Sequence, residues 1–132
     1  MSPAVVCDAS AVVAVLLDSG DDGRWATSEL AGAELAAPNI IGFEAANIIR
    51  RHELAGLISA DQAVQAHGDL LDLSIEGWPY ELLASRAWEL RPNLSIYDAC
   101  YVALAELIGS ALVTLDKRIS GAPGLRCAVS TP

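Results

Sequence analysis

The apolar positions change period along the chain, and those changes mark out its elements. Residues 5–7 (Val-Val-Cys) form a short run, apolar on both sides, that stops at Asp8 and reads as a buried strand. Positions 10–17 begin a helix. Gly20-Asp21-Asp22-Gly23 reads as a turn, and Trp25, Leu30, Ala33 and Leu35 carry helical spacing over 24–35. Residues 36–38 read as a short strand or its exit. Asn39 is placed to N-cap a helix reaching about Leu54, with Gly56 just past its end. Ser59 and Gln62 have capping-box spacing and open a further helix through Val64, Leu70 and Leu71. A brief strand over 73–75 and a helix over 80–90 follow. Ser95 and Asp98 repeat the capping-box spacing ahead of a helix through Cys100, Tyr101, Leu104 and Ile108, which Gly109 ends. Residues 111–115 read as a buried strand stopping at Asp116, and 127–130 as the last strand.

Strands thus alternate with helices and are apolar on both sides. That pattern predicts an α/β fold, a mainly parallel sheet with helices on both faces, in one domain over 1–132. In such folds ligands bind beyond the carboxyl ends of the strands. Asp8 and Asp116 both follow predicted strands, which puts their carboxylates on that rim.

Composition narrows the class. The chain is 53% hydrophobic with mean hydropathy +0.38, which excludes disorder. Its most apolar stretch, 9–17, is bracketed by Asp8 and Asp18 and falls short of the roughly twenty residues a membrane span needs. The N-terminal MSPAVVCDAS has no basic region and does not read as a secretory signal. Cys7, Cys100 and Cys127 are odd in number and widely spaced, as expected of reduced thiols packed as small hydrophobes in a cytoplasmic protein. The net charge of −9 runs against a nucleic-acid partner, since such proteins usually carry a basic footprint.

Four acids differ from the other thirteen in being embedded in apolar sequence: Asp8 in VVCDASAVV, Glu44 in IIGFEAANII, Asp98 in LSIYDACYVALA and Asp116 in ALVTLDKR. Burying an unpaired carboxylate there is costly. Singly, each has a structural reading. Asp98 closes a capping box, Asp116 N-caps a turn, Asp8 makes an Asx-turn, and Glu44 pairs with Arg51 two helical turns on. Jointly, two acids at strand ends and two near helix starts converge on one rim, and convergent carboxylates repel unless a cation lies between them. Oxygen ligands without His or Cys suit a hard ion, Mg²⁺ or Mn²⁺. His52 and His67 have no partner at ligand spacing and read as helix-face residues. Such an ion activates water and stabilises charge on a phosphodiester. Ser10 and Thr114 flank the acids and are candidates for binding phosphate or a metal water, with turn and strand roles as the alternative.

The ordered set of motifs VVCDASAVVAVLL, FEAANIIRR, LSIYDACYVALA and ALVTLDKR resembles the PIN-domain nucleases, in particular VapC-type toxins of bacterial toxin–antitoxin pairs. The resemblance spans essentially the whole chain. It implies a three-layer α/β/α fold and Mg²⁺- or Mn²⁺-dependent endonuclease action on RNA. It also implies a homodimer, and inhibition by a small antitoxin whose tail enters the active-site groove. Asp8, Glu44, Asp98 and Asp116 match the family's catalytic acids, with Asp8, Asp98 and Asp116 as metal ligands. Lys117 and Arg118 stand where some members carry a further acidic or amide residue. On this reading the charge objection softens, because Arg50-Arg51 and Lys117-Arg118 are paired beside the acids, and Arg51 and Arg118 are candidates for holding phosphates, with solvated helix ends as the alternative. The alternative is a PIN-like binding module without activity. A phosphatase with an Asp nucleophile is disfavoured, since it wants an acid where Ser10 stands. A receiver-type signalling domain wants an acidic pair at the first strand and a central Asp, and neither is evident.

Overall fold

The computed structural model describes residues 4–132; the part of the N-terminal reading that falls on 1–3 lies outside them. The chain runs β1 (Ala4–Cys7), α1 (Ala9–Leu17), α2 (Asp21–Leu30), β2 (Glu34–Pro38), α3 (Ile41–Leu54), α4 (Ala60–Asp72), β3 (Ile75–Trp78), α5 (Ala84–Glu89), α6 (Ile96–Ile108), β4 (Leu112–Val113), α7 (Lys117–Ser120) and β5 (Val129–Ser130). All strand pairs are parallel, in the order β3-β2-β1-β4-β5.

That order explains the layering. The chain steps outward from β1 to β2 to β3, then returns past β1 to β4. Right-handed crossovers place the helices of the two directions on opposite faces. Accordingly α1 to α4 pack on one another, while α5 packs on α6 and α6 lies against β1, β2 and β4. The predicted three-layer α/β/α arrangement is what forms. With both faces covered, β1 buries Val6 and Cys7, which point to opposite sides, and Leu112 and Val113 do the same in β4. The direction of winding switches between β1 and β4, so the crevice for a ligand opens at their carboxyl ends.

Several predicted boundaries move, each for a local reason. The Gly20–Gly23 cluster is not a turn throughout. Gly20 is the N-cap and α2 begins at Asp21, with Asp21 and Asp22 favourably placed at the positive end of the helix. The helix expected to reach Leu35 stops at Leu30. Gly32, at φ +71°, reverses the chain, and Leu35 pairs with Val5 in β2. Asn39 is not the N-cap of α3. Ile40 holds that position without a side-chain cap, and the Asn39 N–H instead donates to Trp78 O at 2.9 Å, extending the β2–β3 ladder. The strand expected at 73–75 lies at Ile75–Trp78. The helix expected over 80–90 is a 3₁₀ turn, Tyr80–Leu82, followed by α5.

The two capping boxes part company. At Ser59, both halves form: Gln62 N–H donates to Ser59 Oγ at 3.1 Å and Ser59 N–H to Gln62 Oε1 at 2.8 Å. At Ser95 only the first half forms, from Asp98 N–H to Ser95 Oγ at 3.1 Å. The Asp98 carboxylate therefore does not close the box on the Ser95 backbone N–H.

Candidate active site

All four acids stand at helix N-termini. Asp8 caps α1, Glu44 and Asp98 lie in the first turns of α3 and α6, and Asp116 caps α7. The helix macrodipole favours a carboxylate at each place. The structural readings of Asp8 and Asp116 thus hold together with the convergent one, because the caps themselves meet. Asp8, Glu44, Asp98 and Asp116 line one cleft of 320 Å³ at the carboxyl ends of β1 and β4, with Ser10, Asn47, Arg51 and Tyr101.

Asp8 is 6% exposed and the most tightly held of the four. Its Oδ1 accepts from Ser10 Oγ at 2.6 Å and from Ala11 N–H at 3.0 Å, and its Oδ2 accepts from Thr114 Oγ1 at 2.5 Å. The hydroxyls are held in turn: Leu115 N–H donates to Ser10 Oγ at 3.1 Å, and Asp116 N–H to Thr114 Oγ1 at 2.9 Å. The loop carrying Asp116 is therefore tied through two hydroxyls to Asp8. Thr114 has no exposed surface and spends its proton on Asp8, so it faces the acid rather than the cleft. Ser10 spends its proton likewise but does line the cleft.

Glu44 does not pair with Arg51. It accepts a 2.6 Å hydrogen bond from Tyr101 OH, reaching from α6 to α3 where the two helical layers meet at the rim. Among the described residues Arg51 makes no ion pair, and it lines the cleft. Arg118 is committed differently. Its Nη2 and Nε reach the two oxygens of Asp116 at 2.6 and 3.0 Å, although the arginine is 83% exposed. Sequence reasoning missed Tyr101 and Asn47 as cleft residues. Their spacing is the available signal, since each stands three positions after an acid, Asp98 and Glu44, on the same helix.

The acids feel one another. Burial is the main cause that raises Asp8 above the ordinary carboxylate range, opposed by its bonds to Ser10, Thr114 and Ala11 and reinforced by the charge of Asp98. Burial also raises Glu44. Tyr101 opposes that shift, and the charges of Asp98 and Asp8 add to it. Asp98 is raised by burial and by the Asp116 charge, against Arg118 and the Ser95 hydroxyl. Only Asp116 is lowered, chiefly by its hydrogen bond from Arg118. Elsewhere, burial pushes the Cys7 thiol up to about 12, which keeps it an inert part of the core.

Among the described residues no three of these acids stand close enough to grip one ion together as they are. Asp116 is turned to Arg118 and Glu44 to Tyr101. The chemistry of the donors nonetheless fits a hard divalent cation. They are all oxygens, and three of the four are raised first by burial and then by a neighbouring carboxylate charge, both of which a bound cation offsets.

The model of one family, described as PIN domain, matches residues 5–125. The chain belongs to the PIN domain family. Among the curated relatives of this PIN domain is a VapC ribonuclease of Mycobacterium bovis, 36% identical over 126 residues and covering 96% of each chain. Among solved structures, VapC20 of Mycobacterium tuberculosis, described as a sarcin-ricin loop cleaving toxin, superposes with TM-score 0.68 at 18% identity, covering 94% of this PIN domain and 98% of that chain. A toxin–antitoxin complex from Klebsiella pneumoniae matches with TM-score 0.64 at 23% identity, covering 97% of each chain. At those identities the solved structures speak to the fold alone.

Proposed function

We propose that this PIN domain is a metal-dependent endoribonuclease and the toxin of a toxin–antitoxin pair. The observation that carries the reading is the meeting of Asp8, Glu44, Asp98 and Asp116 with Arg51 in one cleft at the switch point of the sheet. The naming of its relatives as VapC ribonucleases supports it.

On this reading Asp8, Asp98 and Asp116 would hold Mg²⁺ or Mn²⁺, with Asp116 giving up its bonds to Arg118. When bound, the ion lowers the pKa of water and offsets charge on the attacked phosphate. Asp8 is the fixed member, oriented by Ser10, Thr114 and the Ala11 N–H. Glu44 directs the attacking water as a general base. Arg51 and Arg118 hold RNA phosphates beside the one being cut, and Ser10 and Thr114, whose protons are spent on Asp8, act through it.

A second groove supports the reading of an antitoxin tail. A groove of 460 Å³ shares Ser10, Ile48 and Arg51 with the acidic cleft and continues over Val13, Leu17 and Ile58. A homodimer is supported by exposed apolar side chains on the other side of α3. Phe43 is 78% exposed between two apolar grooves, and Leu71 and Tyr97 are exposed beside it. Among the described residues no helix is long and apolar enough to cross a membrane.

Purified protein is expected to cut single-stranded RNA with Mg²⁺ or Mn²⁺ and to stop with EDTA. Asp8→Asn is expected to abolish cutting while the far-ultraviolet circular dichroism stays unchanged. Undiminished cutting by Asp8→Asn overturns the mechanism.

A further inference from the structure

We propose that Tyr101 is a positioning residue for Glu44, fixing which carboxylate oxygen the glutamate presents to the cleft. The inference rests on the nuclease reading above and deepens it.

Tyr101 is 2% exposed, among the largest fully buried side chains of the chain. Its ring belongs to the buried apolar core, the cluster that also takes in Cys7 at the end of β1. Packing of that kind locks the ring in one orientation. Its hydroxyl emerges at the cleft and donates to Glu44 Oε1 at 2.6 Å. Glutamate on the first turn of a helix has three rotatable side-chain bonds and otherwise samples several rotamers. A single short bond from a rigid donor removes that freedom.

The bond also sorts the two oxygens. A tyrosine hydroxyl has one proton, and here it is spent on Oε1. Among the described residues no hydrogen bond or ion pair reaches Oε2, so Oε2 is the oxygen left for a water or a substrate hydroxyl. Asp8 offers a contrast, since both its oxygens are held by protein donors. Glu44 is thus held at one oxygen and open at the other, which suits a group that must take a proton in a defined direction.

Tyr101 touches neither substrate nor scissile bond on this account. Its contribution is the orientation of Glu44, and Tyr101→Phe removes the bond while keeping the ring. The variant is expected to melt within a few degrees of wild type. It is expected to lose roughly ten- to a hundredfold in kcat on a short single-stranded RNA, the range for residues that orient an active-site group, with KM changed less than about twofold. Against a Glu44→Ala background the same substitution is expected to add no further loss, because nothing remains to orient. A readout independent of turnover is the proton spectrum. Wild type is expected to show a slowly exchanging hydroxyl resonance that both Tyr101→Phe and Glu44→Ala lack.

A Tyr101→Phe variant that turns over like wild type overturns the proposal. So does one whose KM alone rises, or whose loss multiplies with that of Glu44→Ala. If wild type itself cuts no RNA, the nuclease reading fails, and the hydroxyl resonance still decides whether Tyr101 holds Glu44.

Discussion

Thr114 Oγ1 donates to Asp8 Oδ2 at 2.5 Å, joining the end of β4 to the end of β1 across 106 positions of chain. The same oxygen accepts from the Asp116 N–H at 2.9 Å. One hydroxyl therefore sets the distance between two of the four acids. It is fully buried, so no water replaces it when it is removed.

Thr114→Val keeps the shape and deletes the hydroxyl. It strands Asp8 Oδ2 and the Asp116 N–H, and leaving buried polar groups unsatisfied costs about 1–3 kcal/mol, more when one is charged. Urea titration is expected to show a loss of that order, and RNA cutting is expected to fall with it. Thr114→Ser, which restores the hydroxyl, is expected to recover most of the cutting. A Val variant near wild type beside an impaired Ser variant would show that packing of the methyl group, not the bond, matters.

Two glycines separate close packing from chain entropy. A Cβ on Gly23 would lie 1.7 Å from the Asp18 carbonyl oxygen, a backbone atom that cannot step aside without moving the junction of α1 and α2. Gly23→Ala is expected to destabilise by about 3 kcal/mol, at the upper end for overpacking. Gly68, inside α4, has nothing within 4 Å of its would-be Cβ. Gly68→Ala is expected to stabilise by about 0.5–1 kcal/mol, the helical penalty of glycine relieved. Chemical denaturation of the two variants should move in opposite directions.

The contrast at Gly23 bears on what the chain discloses before it folds. Four acids in apolar sequence were legible because burying an unpaired charge is costly, and the cost does not depend on knowing the partner. The strand–helix alternation was legible for the same reason that β1 and β4 are apolar on both sides. What stayed hidden depends on distant contacts. Gly20–Gly23 has the composition of a turn, yet Gly23 is a helical residue whose lack of a side chain serves Asp18. Leu35 continues a helical spacing, yet Gly32 at positive φ turns it into a strand. Tyr101 fits an apolar helix face, and only the arrival of α3 at the rim gives its hydroxyl a task. Arg118 was legible as a cation near Asp116, but not as its bidentate partner.

Arg51 and Arg118 are expected to respond differently to substitution. Arg51 lies in the cleft without an ion pair among the described residues, so its charge is available to a phosphate. Arg118 already neutralises Asp116 and must exchange one anion for another. Arg51→Ala is expected to raise KM for RNA roughly tenfold, given about 1.5–3 kcal/mol for a hydrogen bond to a charged group in partial solvent. Arg118→Ala is expected to raise it less. Both effects should shrink between low and physiological salt, as screened phosphate contacts do. Steady-state kinetics at two ionic strengths provides the check. A larger KM effect at Arg118 than at Arg51 would reverse the assignment.

The raised carboxyl of Asp98 subtracts from the stability of the metal-free protein as pH rises. Asp98 is raised above its ordinary 3.8 by burial and by the Asp116 charge. A carboxyl with a higher pKa folded than unfolded binds more protons in the native state between those two values. Stability is then greatest below the unfolded pKa and declines as pH rises through the folded one. Asp98→Asn removes that penalty and leaves the backbone cap on Ser95 intact, since the cap uses the Asp98 N–H. Without divalent metal, Asp98→Asn is therefore expected to melt a few degrees above wild type at pH 7, the gain being limited because the group is only half-buried. The gap should close as pH falls toward 4. Added Mg²⁺ or Mn²⁺ is expected to reverse the order at neutral pH by stabilising wild type more than the variant. Thermal melts at pH 4 and pH 7, with and without metal, measure all four states. A variant less stable than wild type in metal-free buffer at pH 7 would mean that Asp98 serves the fold rather than the site.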